Sequence, residues 1–447
     1  MSVLSESKET ILPDPIFEPL AFRNLTLKNR LIRSNMSGRF DNYDGSGSQA
    51  RINWETRFAR GGVGAIVSSF VPVHGRGRIL PNYAMMDADD KIPFWKEVGQ
   101  RVHDLDCKFI MQLSHGGRQR DVQGIEYPES WSSTAKPDAL HGFEGRAMSV
   151  QQISEVVQQF GQAAVRAQTA GLDGVELHGA NGYLITQFLS SAINDRRDDY
   201  GGSLENRARF VLEIVKSIRL RCGPKFHLQM KISATENNNA MSLKEPRGNT
   251  IHDSVQVCQW LEAEGVDAIH VSNGSFFPHP RNPAGDLPIE DFIRVYDSML
   301  SSGKNTFRNF LMLRNDLGGR LFHDQWIKER GHVIEGLNLP DAHAIKQAVS
   351  LPVICTGGFQ TASIIRAAID SGHCDAVSMA RPLIANPDLP KLFAQGLDRP
   401  PVPCTYCNKC LVNVVENPIG CYDLTRFTTR EAMVQEIMSV FKPPPFP

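Results

Sequence analysis

Short apolar runs alternate with amphipathic helical patterns along most of this chain. The runs predict strands over Asn29–Met36, Gly64–Val73, Lys108–His115, Gly174–Ala180, Phe226–Ser233, Ala268–Phe277, Pro352–Phe359 and Ala376–Ile384. Each holds a continuous apolar stretch instead of strict alternation, the mark of strands covered on both faces. Helical patterns follow over Gln49–Arg60, Lys91–Leu105, Val150–Thr169, Leu204–Arg221, His252–Glu264, Pro340–Val349, Thr361–Ser371 and Pro387–Gln395. In the third, Ile153, Val156, Val157 and Phe160 recur at helical spacing behind Ser149, a natural N-cap. Thr361 is the matching cap after the Gly357-Gly358 turn.

Strand–helix units in one unbroken series predict an α/β fold of the (β/α)8 TIM-barrel kind over residues 15–400. An open doubly wound sheet is the alternative, because strand order is not written in the pattern. Residues 1–14 read as an N-terminal tail, and 401–447 as a cysteine-containing C-terminal extension. Two long βα segments, Gly116–Met148 and Phe277–Leu339, follow the third and sixth strands. Both lie on the side where barrel enzymes build their sites, so they read as substrate-side loops.

The 447 residues carry 48 basic and 49 acidic side chains, a formal charge of −1. That balance offers no field to gather nucleic acid or an anionic membrane. No stretch approaches the ~20 apolar residues that cross a bilayer, and the N-terminus lacks the plan of a secretory signal. The nine cysteines include five (Cys107, Cys222, Cys258, Cys355, Cys374) scattered through expected core segments. A disulfide framework is not expected, and a reducing cytoplasm fits better.

Candidate chemistry gathers at strand C-termini. The fourth predicted strand ends in Glu176-Leu-His178-Gly-Ala-Asn181-Gly-Tyr183. His178 and Asn181 can both donate to a substrate oxygen where negative charge develops, and Tyr183 carries a proton to give as general acid. Each residue alone could be an ordinary strand-end or core side chain; the run together is more specific. The stretch Asp195–Arg207 by composition is a solvated loop with Ser203 as N-cap.

The run HGANGYLITQFLSSAINDRRDDYGGSLENRARF resembles the signature of the Old Yellow Enzyme family, FMN-dependent ene-reductases and NAD(P)H:flavin oxidoreductases, and the likeness covers residues 15–400. It implies that Ser37, at the end of Asn29–Ser37, sits by the flavin C4 carbonyl, although Asn35-Met36 replaces the usual Pro-Met. Gln112 takes the glutamine position at the flavin pyrimidine edge. Lys231 stands where many relatives carry Arg, to balance charge at N1 and C2=O. Gly357, Gly358 and Phe359, with Ala380 (usually Gly) and Arg381, match the phosphate-binding end after strands seven and eight. The implied reaction uses NADPH or NADH to reduce FMN. The flavin then reduces the C=C bond of an α,β-unsaturated carbonyl, with His178 and Asn181 polarising its oxygen and Tyr183 protonating the α-carbon. An oxidising, isomerising or amine-dehydrogenating member, or an idle flavin- or metal-binding scaffold, are the other readings.

Cys404-Thr-Tyr-Cys407-Asn-Lys-Cys410, followed by Cys421, is metal-ligand spacing for Zn²⁺ or an iron–sulfur cluster. It is similar to the [4Fe–4S] site of the 2,4-dienoyl-CoA reductase and trimethylamine dehydrogenase branch; free thiols retained for packing are the plainer alternative. The residues after Cys421 leave no room for that branch's nucleotide-binding domains, so a cluster would serve an external electron partner or the structure. The expected ligand is otherwise a small molecule, with self-association into a homo-oligomer open.

Overall fold

The computed structural model describes residues 14–120, 127, 129–139, 141–237, 248–275, 279–298 and 303–443. Nearly all of the N-terminal tail, the last Pro-rich residues, parts of both long insertions and the end of the run Ala268–Phe277 lie outside them. Eight parallel strands close into a barrel: β1 (Leu31–Arg33), β2 (Ala65–Pro72), β3 (Lys108–Ser114), β4 (Gly174–Gly179), β5 (His227–Ser233), β6 (Ala268–Ser272), β7 (Val353–Thr356) and β8 (Ala376–Met379). The pairing of Val377, Ser378 and Met379 with Leu31, Ile32 and Arg33 joins the last strand to the first, and so excludes an open sheet.

A main helix follows each strand: α1 (Gln49–Arg60), α2 (Ile92–His103), α3 (Val150–Thr169), α4 (Leu204–Cys222), α5 (Ile251–Ala263), α6 (Leu339–Lys346), α7 (Ala362–Asp370) and α8 (Leu389–Ala394). In α3 the periodic Ile153, Val156 and Phe160 are fully buried, each contributing about 1.5–3 kcal/mol by leaving water. Ser149 and Gln152 form a reciprocal capping box at its start. Thr361 holds the N-cap position of α7 but does not cap it; its hydroxyl bonds Glu335 at 3.0 Å instead. The predicted strands overrun most where the chain leaves the ladder at the barrel mouth. Ser34–Met36 and Gly357–Phe359, assigned to strands by apolarity, are loop residues.

Two features were not foreseen. A hairpin pairs Leu20 and Ala21 with Leu27 and Thr26. Its Leu20, Phe22, Leu25 and Leu27 pack with Ile32, Ala65, Ile110 and Ala376, plugging the N-terminal end of the barrel. The segment after β6 is no bare loop: it carries helices Ile289–Ser298, Lys304–Arg314 and Asp316–Arg330. Residues of the extension, Cys410, Ile419 and Val440, share the barrel's main apolar core, and Asn53 of α1 donates to the Val440 and Lys442 carbonyls. Among the described residues no helix is long and apolar enough to cross a membrane.

Outside the barrel, β1 and α1 are joined by buried charges. Glu55 pairs with both Arg33 and Arg51, and Arg51 with Asp41 at 2.6 Å, all four buried. Removing one member of such a network leaves an uncompensated buried charge. Glu55→Ala should therefore lower unfolding free energy by about 3–5 kcal/mol in urea titration; a loss below about 1 kcal/mol would rule out that role.

Candidate active site

Side chains alternate across a strand, so every second residue of β3 to β6 points into the barrel. The register pairs Gln112 with Glu176, Glu176 with Gln229, His178 with Lys231, and Lys231 with His270. Two interior polar layers result. In the lower, Glu176 accepts from Gln112 Nε2 at 2.8 Å, His270 Nδ1 at 2.6 Å and Gln229 Nε2. Burial pushes the Glu176 carboxyl up, but His270, the Lys231 ammonium and Gln229 outweigh it and hold it at about 2. A carboxylate only accepts, so His270 carries its proton on Nδ1. His270 Nε2 then accepts from Thr356 or Ser378, at 2.7 and 2.6 Å. The same logic orients Gln112: its NH₂ faces Glu176, and its Oε1 is buried with no hydrogen-bond partner among the described residues.

Above this layer opens a cavity of about 270 Å³ at the strand C-termini. His178, Asn181, Tyr183, Lys231, Ser37, Ala380 and Arg381 all stand on its wall. β4 delivers His178; Asn181 then turns the chain at φ +61°, Gly182 at φ +82°, and Tyr183 opens the short helix Leu184–Leu189. The Tyr183 ring packs edge-on to His178 and Phe70, with centroids 4.8 and 4.9 Å away. Asn181 Nδ2 donates to Asn282 at 3.0 Å. Lys231 Nζ donates to Ser34 Oγ at 2.9 Å and Asn35 Oδ1 at 2.6 Å. Burial brings the Lys231 pKa down to about 8, with Glu176 resisting the fall. Burial, and then the Lys231 charge, take His178 to about 3. His178 is thus a neutral imidazole, and its Nδ1 is buried without a hydrogen-bond partner among the described residues.

Four of the residues expected at the flavin are not on the cavity wall. Gln112 lies in the layer beneath. Gly357, Gly358 and Phe359 follow Thr356, which does line the cavity, and Phe359 is buried. Gly358 has φ +70°, and a Cβ there would lie 2.9 Å from the Ile334 carbonyl, so glycine is required. Cys404, Cys407, Cys410 and Cys421 line one separate small cavity, with Arg381 on the wall of both. Burial pushes the Cys404 thiol to about 11 and raises Cys410 and Cys421 as well. Among the described residues no three or more His, Cys, Asp or Glu side chains are disposed to hold a metal ion.

Sequence reasoning missed the apolar side of the main cavity. Phe292 and Val295 come from the helix Ile289–Ser298, and Leu411, Val412 and Val415 from the extension. The apolar Leu411–Val415 stretch was the available signal, overshadowed by the cysteines beside it.

With the site in view, comparison with known proteins is informative. Residues 15–305 match the model of the NADH:flavin oxidoreductase / NADH oxidase family. The chain belongs to that family. This bears out the resemblance found in its sequence. A NADH oxidase of Thermoanaerobacter brockii is 31% identical over 414 residues, covering 89% of this chain and 56% of the relative. A NADPH dehydrogenase of Halalkalibacterium halodurans is 35% identical over 295 residues, covering 64% and 82%. Among solved structures, a complex of 2-naphthoyl-CoA reductase with 2-naphthoyl-CoA superposes with a TM-score of 0.74 at 24% identity, over 91% of this chain and 56% of that one, a likeness of fold. The chain thus spans little more than half of two of these three proteins.

The low His178 pKa has a direct test. Nitrogen NMR of the flavin-free protein should show His178 neutral from pH 8 down to about 4, protonating only below that. A midpoint near the ordinary histidine value of about 6.5 would contradict the buried, lysine-faced setting.

Proposed function

We propose that this protein is an FMN-dependent ene-reductase that uses NADPH or NADH to reduce the C=C bond of an α,β-unsaturated carbonyl. The observation that carries the reading is the meeting of His178, Asn181 and Tyr183 with Lys231, Ser37 and Arg381 around one cavity at the C-terminal mouth of the barrel. The residues fit a flavin. The buried Gln112 Oε1 and His178 Nδ1 lack partners among the described residues, and Lys231 offers a cation in the same layer as His178. Bound FMN supplies the hydride chemistry. Gln112 would hold its pyrimidine edge, Lys231 the N1 and C2=O side, Ser37 the C4 side, and Arg381 with the Gly357–Phe359 turn its phosphate.

The chain's own residues then act on the substrate. His178, neutral and aligned by packing, donates to the carbonyl oxygen together with the Asn181 amide, and both stabilise the charge that develops there. Tyr183 Oη gives its proton to the α-carbon. Phe292, Val295 and the Leu411–Val415 stretch offer an uncharged surface to the remainder of the substrate and exclude water.

The four cysteines share one cavity, and their spacing supports a thiolate metal site there, a [4Fe–4S] cluster or zinc. Buried thiols with raised pKa values need a bound metal ion nearby to become ligating thiolates.

Two measurements test the proposal. Anaerobically purified protein should carry flavin absorbance that NAD(P)H bleaches and an enone restores without oxygen; absence of bound flavin would end the reading, and about four irons with acid-labile sulfide per chain would support the cluster. Tyr183→Phe should keep flavin reduction by NAD(P)H and slow enone reduction by about 10²–10⁴ in stopped flow. Equal loss of both half-reactions would exclude Tyr183 as the acid.

A further inference from the structure

The cysteine segment touches both arms that would hold a flavin phosphate. Arg381 Nη1 donates to Asn408 Oδ1 at 2.5 Å, and the guanidinium lies over the Tyr406 ring, 5.4 Å from its centroid. Tyr406 Oη donates to the Gly358 carbonyl at 2.5 Å. Two residues on, Gln360 clamps Cys404 in both directions, donating to its carbonyl at 3.0 Å and accepting from its N–H at 2.8 Å.

The contacts are built at some cost in backbone freedom. Tyr406 and Asn408, on either side of Cys407, have φ of +58° and +59°, a conformation that side chains with a Cβ rarely take. Both are held from a third direction by the segment after β6. Asp286 N–H donates to the Tyr406 carbonyl at 2.8 Å, and Asn408 Nδ2 donates to the Asp286 carbonyl at 2.9 Å. Gly285 lets this segment approach, since a Cβ there would lie 2.4 Å from the Tyr406 oxygen and 2.7 Å from Arg381 Nη1.

We propose that Tyr406 and Asn408 are positioning residues of the flavin site, setting the Gly357–Gly358 turn and the Arg381 guanidinium to receive the FMN phosphate. The inference rests on the flavin reading above. It makes the cysteine segment part of the cofactor site through ordinary hydrogen bonds, whatever the four thiols hold. Asn408 takes up one guanidinium N–H and so fixes the plane in which the remaining donors can meet a phosphate oxygen. Tyr406 fixes the Gly358 peptide from its carbonyl side, leaving the N–H side of that turn for the anion.

Riboflavin, which lacks the phosphate, separates this role from general support of the fold. Dissociation constants of FMN and riboflavin would be measured by flavin fluorescence quenching with wild-type protein, Tyr406→Phe, Asn408→Gly and, as a control, Arg294→Ala. Glycine tolerates the left-handed backbone at 408. Arg294 ties the same extension to the helix Ile289–Ser298 through Asn413 and Glu416, away from the phosphate arms. Each of the first two variants should weaken FMN about tenfold, the scale of one charge-assisted hydrogen bond, and riboflavin less than twofold. Arg294→Ala should leave the ratio of the two constants unchanged. Equal weakening of both flavins, or an unchanged FMN constant in both variants, overturns the positioning role and leaves the flavin reading standing. Wild-type protein that binds neither flavin overturns both.

Discussion

One ionised carboxylate inside the barrel organises the candidate site. Glu176 sits where charge is expensive, and every neighbouring strand supplies something to keep it there: an amide from β3, another from β5, an imidazole from β6 and the field of the Lys231 ammonium. These obligations propagate. Gln112 must turn its carbonyl away, His270 must carry its proton on one nitrogen, and Lys231 has a reason to keep its charge in a desolvated position. The layer above, with its neutral His178, inherits an environment whose polarity is decided one step lower in the barrel.

That dependence explains which parts of the site could be read from the chain. Strands and helices in series were legible because each run holds a short apolar stretch and each helix keeps its period, and α1 and α3 fall on the residues their patterns predict. His178, Asn181 and Tyr183 were legible because they are close in sequence, on one strand end and the turn after it. The partnership of Glu176 with Gln112 and Gln229 was not, since it depends on the register between strands. Apolarity alone also misassigned Ser34–Met36 and Gly357–Phe359, which are loop segments at the barrel mouth. The hairpin at Leu20–Leu27 escaped notice because its strands are two residues each, too short to show a period.

The extension illustrates a different limit. Its cysteines announce themselves by spacing, whereas its structural contribution lies between and after them. Leu411, Val412 and Val415 form part of the wall facing His178 and Tyr183, and Asn413 bonds Asp291 across to the insertion after β6 at 2.8 Å. Two segments far apart in the chain thereby complete one apolar surface. Substrate choice within this fold need not reside in the barrel loops alone.

The hydrogen bonds from Asn53 to the Val440 and Lys442 carbonyls span 387 and 389 residues. On the ribosome, Asn53 is therefore made 387 residues before the Val440 carbonyl that accepts from it. Its amide waits through synthesis of the whole barrel for the segment that buries it. The chain made in between has to remain soluble with that face of α1 uncovered.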